Sequence, residues 1–278
     1  MDKRSAVLAG FVVAVVIAAG GGAWWFAGSG AASEPPAAEE TLPLPPLPAR
    51  IADGEDYNHC LDMVDGDPEG AKGFAETWAA SGGGDGAEHC LALADIELGD
   101  PEAGAERLER LGGSSQGAAA TRASVYDQAG QAWMMAGQPG RAFAAETLAL
   151  ALSPDDPDLL VTRAAAARDL DRYEEAVDDL THALDSDPRR VDALVARASA
   201  SRLLGHLDAA EDDIERAFAL DRDNPEAHLE RGILRQRRGD RAGARADWEA
   251  AAALAPDSDT ADLAQQNLAL LEAGPAQR

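Results

Sequence analysis

Alanines stand at Ala142, Ala176, Ala210 and Ala244, and again at Ala149, Ala183, Ala217 and Ala251, so the chain repeats itself every 34 residues between 123 and 258. A period of this length means a stacked array of small units, each unable to bury its own apolar face, rather than one closed core. Gly137, Asp171, Gly205 and Gly239 mark the middle of each unit, and Pro154, Pro188, Arg222 and Pro256 mark the joins. Each unit therefore reads as two amphipathic helices: 123–136 with 139–152, 157–170 with 173–186, 191–204 with 207–220, and 225–238 with 241–254. The alanine columns let two helices approach closely, and Leu180, Ile214 and Trp248 fill the space beside them. A final helix over about 259–272 carries Leu263, Leu268 and Leu271, spaced to cover the open face of the last unit.

Upstream, residues 51–118 hold two weaker units of the same kind. One starts HCLDMVDGDPEGA at His59 and the other HCLALADIELGDPEAGA at His89, each followed by a glycine cluster. Composition agrees with an all-α chain. Hydrophobic residues make up 46% of the total, much of that alanine, but aromatics only 5%, which suits packed helices and not sheets.

The 34-residue period and its small-residue columns resemble the tetratricopeptide repeat family, over about half of the chain. The large positions of that pattern are degenerate here, with Tyr126, Leu160, Leu194 and His228 in one column. The resemblance implies a right-handed superhelical solenoid of antiparallel helix pairs. It also implies that the first helices line a concave groove holding an extended peptide or a partner helix. On helical geometry the groove-facing residues are Asp127, Gln131, Met134, Val161, Ala165, Arg168, Val195, Ser199, Arg202, Leu229, Ile233 and Arg237. Arg168, Arg202 and Arg237 would form a positive row along one edge, fit for an acidic or carboxylate-bearing peptide. The lysine and asparagine clamp of the family's chaperone-binding members is missing.

The N-terminus reads as a membrane anchor. Lys3 and Arg4 form part of a short cytoplasmic stub, residues 1–5, and residues 6–27 carry no charge and end in Trp24, Trp25 and Phe26. At 1.5 Å per residue such a run reaches across a hydrocarbon core of about 30 Å, with the aromatics at the interface. A cleaved signal peptide is the rival reading. Residues 28–50 are rich in proline and alanine and form a spacer, so the repeats are expected in the periplasm of a bacterium, tethered to the inner membrane.

Charges inside the units read as structural. Arg163, Arg197 and Arg231 recur on first helices, and Asp179, Asp213 and Asp247 on second helices, while Ala129 and Ala145 replace both partners in the first unit. Joint presence and joint absence predict an ion pair within each unit. Cys60 and Cys90 occupy similar places in neighbouring hairpins; a disulfide, free buried thiols or a metal site are all compatible with that placement. His182, His206 and His228 stand isolated in the sequence. No haem motif, phosphate-binding glycine loop or metalloprotease motif occurs, and no nucleophile, base and orienting group assemble, so neither an enzyme nor a cofactor is expected. A net charge of −26 excludes nucleic acid as a partner. The expected function is a non-catalytic scaffold or assembly factor of the cell envelope that binds a protein or peptide. The alternative is a chaperone-like holder of exported polypeptides, such as those of cytochrome maturation.

Overall fold

A computed structural model describes residues 50–273. Thirteen helices and no strands are found among the described residues. They are α1 (Glu55–Val64), α2 (Pro68–Ala80), α3 (Gly84–Glu97), α4 (Pro101–Ser114), α5 (Ala119–Met135), α6 (Pro139–Leu152), α7 (Pro157–Asp169), α8 (Tyr173–Ser186), α9 (Val191–Leu203), α10 (Leu207–Leu220), α11 (Pro225–Arg238), α12 (Arg241–Leu254) and α13 (Asp259–Ala273). None of these helices is long and apolar enough to cross a membrane. The apolar run 6–27 and the spacer before Arg50 lie outside the described residues.

The helix starts follow from local chemistry. Proline opens α2, α4, α6, α7 and α11, where its missing N–H costs nothing. Asp67, Asp100, Asp156, Asn224 and Asp240 cap α2, α4, α7, α11 and α12 by accepting a backbone N–H of the first turn, each worth about 1 kcal/mol. Helix α5 starts at Ala119 rather than 123, because Ala119 and Ala120 favour helix and Thr121 is buried.

Each helix packs on the next in sequence, and the first helices of successive units also touch: α1 with α3, α5 with α7, α7 with α9, α9 with α11, and α11 with α13. The result is a tetratricopeptide-like solenoid. Both alanine columns are buried, with Ala142, Ala149, Ala183, Ala210, Ala217, Ala244 and Ala251 at 0% exposure. Leu180, Ile214 and Trp248 fill the next column, and α13 closes the end by burying Ala261, Ala264 and Leu271.

Between the helices of a unit the chain must turn through left-handed backbone. Gly137, Gly205 and Gly239 supply it with φ of 67°, 86° and 87°, and Asp171 holds φ 59° at the matching position. A side chain in that region costs on the order of 1 kcal/mol. Asp171 offsets part of it by accepting a hydrogen bond from the Tyr173 hydroxyl. Replacing Asp171 with glycine is therefore expected to raise the urea midpoint, by roughly 0.5–1 kcal/mol of stability; a lowered midpoint would mean that the Tyr173 contact outweighs the strain.

Candidate functional site

Helical register sets the face shared by the first helices in columns. Asp127, Val161, Val195, Leu229 and Leu263 form one, and Gln131, Ala165, Ser199, Ile233 and Asn267 the next. A cavity of about 450 Å³ opens on this face between α9, α11 and α13, with Arg168 at the end of α7 on its rim. Its floor is apolar: Val195, Ala196, Leu229, Ile233 and Leu263. Asp192, Glu226, Arg168 and Arg202 stand around it.

Six of the groove residues read from the sequence meet in this cavity: Arg168, Val195, Ser199, Arg202, Leu229 and Ile233. Asp127, Gln131, Met134, Val161 and Ala165 lie on the α5–α7 part of the face, outside the cavity, where Gln131 Nε2 donates to Asp127 at 3.0 Å. The expected positive row is a correction. Arg202 is bound by both carboxylate oxygens of the buried Glu230, so it brings no free charge to the groove. Arg237 is exposed and falls outside the cavity lining; the residue 34 positions after Arg202 is Gln236. Arg168 remains exposed, with only the surface pair to Asp169 at 2.9 Å.

Beneath the face, the repeated charges pair across each unit. Arg163 reaches Asp179 with Nε and Nη2 at 2.8 and 2.6 Å, and Arg197 reaches Asp213 at 2.8 and 2.7 Å. Asp247 accepts Arg231 Nη2 at 2.6 Å and also Arg235 at 2.8 Å, and His228 Nδ1 stands 3.3 Å away, so His228 is not isolated. These two-pronged contacts fix the angle between paired helices and thereby the spacing of the face above. The hairpin α3–α4 holds a version of reversed polarity that the sequence did not reveal: Asp95 on α3 meets Arg107 of α4 and Lys72 of α2, both at 2.7 Å.

The first regular unit departs from this scheme. Glu146 occupies the column of Leu180, Ile214 and Trp248 and is 1% exposed. Its carboxyl lies against the bare Cα of Gly130, where a Cβ would come within 2.2 Å of Oε1, and neither oxygen has a hydrogen-bond partner among the described residues. Burial, and then the neighbouring Asp127 charge, push it from its ordinary 4.5 up to about 9. Burial also raises Asp127, against hydrogen bonds from Gln131 and Thr162. Nothing in the sequence pattern except the break in an apolar column pointed to Glu146.

Cys60 and Cys90 are joined, with their Cα atoms 6.2 Å apart, tying α1 to α3. Beside them the Tyr57 hydroxyl meets buried His89 Nδ1 at 2.8 Å, and His89 Nε2 meets Gln128 Oε1 at 2.6 Å. An amide oxygen only accepts, so Nε2 carries the proton and Nδ1 accepts from Tyr57. Burial lowers the His89 pKa and keeps the ring neutral. His59 instead is exposed and packs on Phe74, so the two His-Cys pairs do not converge. No cluster of three or more His, Cys, Asp or Glu side chains fit to hold a metal occurs among the described residues.

Comparison with known proteins agrees with this architecture. A tetratricopeptide repeat family model matches residues 157–190 and 191–224. A tetratricopeptide repeat protein of the thermophile Thermus thermophilus superposes with a TM-score of 0.54 at 22% identity, covering 67% of this chain and 100% of that one. MamA of Desulfovibrio magneticus gives 0.53 at 18% identity, over 63% and 97% of the two chains. The Cut9–Hcn1 hetero-tetramer of the APC/C gives 0.54 at 17% identity, over 77% and 45%. No curated protein matches the sequence.

Two outcomes are expected. Arg197→Ala alone leaves the buried Asp213 short of its main partner and should cost about 3 kcal/mol. Combining it with Asp213→Ala copies the Ala129 and Ala145 arrangement and should cost less than the sum of the single changes; strict additivity in the cycle would mean the pair contributes no coupling. Glu146 binds a proton in the folded chain that the unfolded chain releases above about 4.5. Stability from this group is therefore present at low pH and falls as pH climbs towards about 9, by at most about 1.4 kcal/mol per pH unit. Glu146→Leu, the residue type of Leu180, should flatten that slope in urea melts from pH 5 to 9; an unchanged slope would show that Glu146 titrates normally.

Proposed function

We propose that this array of tetratricopeptide repeats is a non-catalytic scaffold or assembly factor, which binds a segment of a partner protein across the face of its first helices. Tetratricopeptide repeats generally mediate protein–protein interaction and typically have no catalytic role. The observation that carries the reading is the α9–α11–α13 cavity. Its apolar floor of Val195, Leu229, Ile233 and Leu263 lies on the face shared by the first helices. Filling such a floor with aliphatic side chains of a partner removes apolar surface from water, at roughly 25 cal/mol per Å². Hydrogen-bonding groups on the rim, such as Asn224, Ser199 and Thr260, suit the backbone of an extended chain.

The same reading puts residues 6–27 in the inner membrane of a bacterium, with the repeats on the periplasmic side and residues 28–50 as the spacer between them. Its support is the uncharged run and the Lys3–Arg4 pair before it. Oxidation of Cys60 and Cys90 suits that compartment.

Photo-crosslinking in native membranes tests both parts. A crosslinking residue at Leu229 should capture a small set of proteins that one at Leu148, on α6, does not. Capture should be lost when Ile233→Glu puts a charge on the floor, while helicity at the assay temperature stays close to the parent value and the melting temperature falls, because Ile233 also packs on the core. Equal capture from Leu229 and Leu148 would overturn the groove as the binding face. Many unfolded exported clients, in place of a few folded partners, would favour a holder of exported polypeptides. Extraction should require detergent; a soluble form that begins near Ser33 would end the anchor.

A further inference from the structure

We propose that Asp127, Gln131, Thr162 and Glu146 form a receptor for one basic side chain of the bound partner, placed on the same face as the apolar cavity but over α5 and α7. The inference deepens the groove reading and rests on it.

Two columns of the array are broken at the same unit. The groove column runs Asp127, Val161, Val195, Leu229 and Leu263, and the column beneath it runs Glu146, Leu180, Ile214 and Trp248. Each is apolar except in the first regular unit, and there both carry a carboxyl. The two carboxyls lie together: Asp127 and Glu146 interact directly, and Thr162 Oγ1 stands 3.3 Å from Asp127 Oδ1. Gly130 on α5 leaves the space through which the Glu146 carboxyl reaches this spot from α6.

A buried carboxyl without a hydrogen bond costs stability, and an apolar residue of similar size or larger is present at the same position in the next three units. An apolar side chain at this position would therefore cost the fold less than Glu146 does. Arg163, whose charge acts on Glu146, and Arg141, on the same helix as Glu146, are already committed. Arg163 on α7 gives two hydrogen bonds to Asp179, and Arg141 on α6 holds Glu106 and Glu109 while its guanidinium lies over the Trp133 ring. Asp156, before α7, adds a further negative charge near Asp127. The site is thus a half-buried negative patch whose near cation, Arg163, is held by Asp179, inside a chain of net charge −26 that concentrates cations around it.

Asp127 is the group a ligand touches, since it is half-buried while Glu146 lies behind it. A guanidinium or ammonium group on Asp127 stabilises a second negative charge beside it. Glu146 then releases its proton to solvent, and the site passes from one negative charge to two as one positive charge enters. Gln131 and Thr162 keep Asp127 oriented through their hydrogen bonds.

The experiment titrates the full-length chain at pH 7 with Nα-acetyl-arginine-N-methylamide and with its neutral citrulline counterpart, by calorimetry in buffers of different ionisation enthalpy. The arginine probe should bind roughly tenfold more tightly than the citrulline probe and release a measurable fraction of a proton. Glu146→Leu should fold at least as stably as the parent, abolish proton release and lower the preference for arginine; Asp127→Asn should remove the preference altogether. Equal binding of the two probes, no binding of either, or an unaltered proton count in Glu146→Leu would overturn the site. If crosslinking at Leu229 still captures partners while the probes show no preference, the groove stands and this receptor falls. If arginine is preferred but Leu229 captures nothing, the receptor stands and the groove reading falls.

Discussion

The close approach of paired helices at the alanine columns is the constraint on which the other features depend. A methyl group at Ala142, Ala176, Ala210 and Ala244, and at their counterparts seven residues on, lets backbones pack where any larger side chain would hold them apart. The apolar material that such small residues cannot supply is concentrated in a few large ones, Trp133, Leu180, Ile214 and Trp248, each almost wholly buried. A core built this way is one layer thick, so every unit must lean on its neighbour, and the first helices are left side by side with one face uncovered. The groove is thus a consequence of the packing rule before it is a binding site.

Thin cores leave little room to hide charge, and the arginines show how the chain copes. Asp179, Asp213 and Asp247 are all buried, and each is met by the arginine of the preceding helix in the same unit. Glu230 on α11 takes Arg202 of α9, a pair between neighbouring units. Pairs of this kind stabilise less than apolar replacements could, because both charges leave water, but they fix the geometry of a helix pair that alanines alone would leave free to slide. They also consume the positive charge a sequence reading would assign to the groove. Arg202 looks like a ligand-binding residue on a helical wheel and is in fact a counter-ion.

Legibility followed periodicity. The helix pairs from 157 to 254 could be read because proline, aspartate and glycine punctuate each turn at a constant spacing, and the columns then place each face. Where the spacing slips, the reading fails. Helix α5 begins at Ala119, before the position 123 that the period gives, so the Asp95–Arg107–Lys72 cluster stays out of register with the later pairs. Arg237 was assigned to the groove by a one-residue shift, since Gln236 holds the position that Arg168 and Arg202 define. Glu146 is legible only as a break in an apolar column. A single glutamate on an amphipathic helix reads as a solvated face, and only its depth beneath Gly130 and Asp127 gives it meaning.

The two ends of the array solve one problem by different means. A stacked repeat has an unpaired apolar face at each terminus. At the C-terminal end α13 takes the place of a first helix and buries Ala261, Ala264 and Leu271, with Arg241 donating to the Leu271 carbonyl and Arg245 meeting Glu272 at 2.8 Å. At the N-terminal end α1 is a shorter helix with three buried residues, Tyr57, Cys60 and Val64. A disulfide supplements that burial. Cross-linking Cys60 to Cys90 across 30 residues lowers the entropy of the unfolded chain by roughly 3–4 kcal/mol in the loop-closure account. The Tyr57–His89–Gln128 relay then joins α1 and α3 to α5, the first helix of the regular array. Both ends are therefore closed by burial of three residues of the terminal helix, and the N-terminal end adds a covalent bond and a neutral histidine.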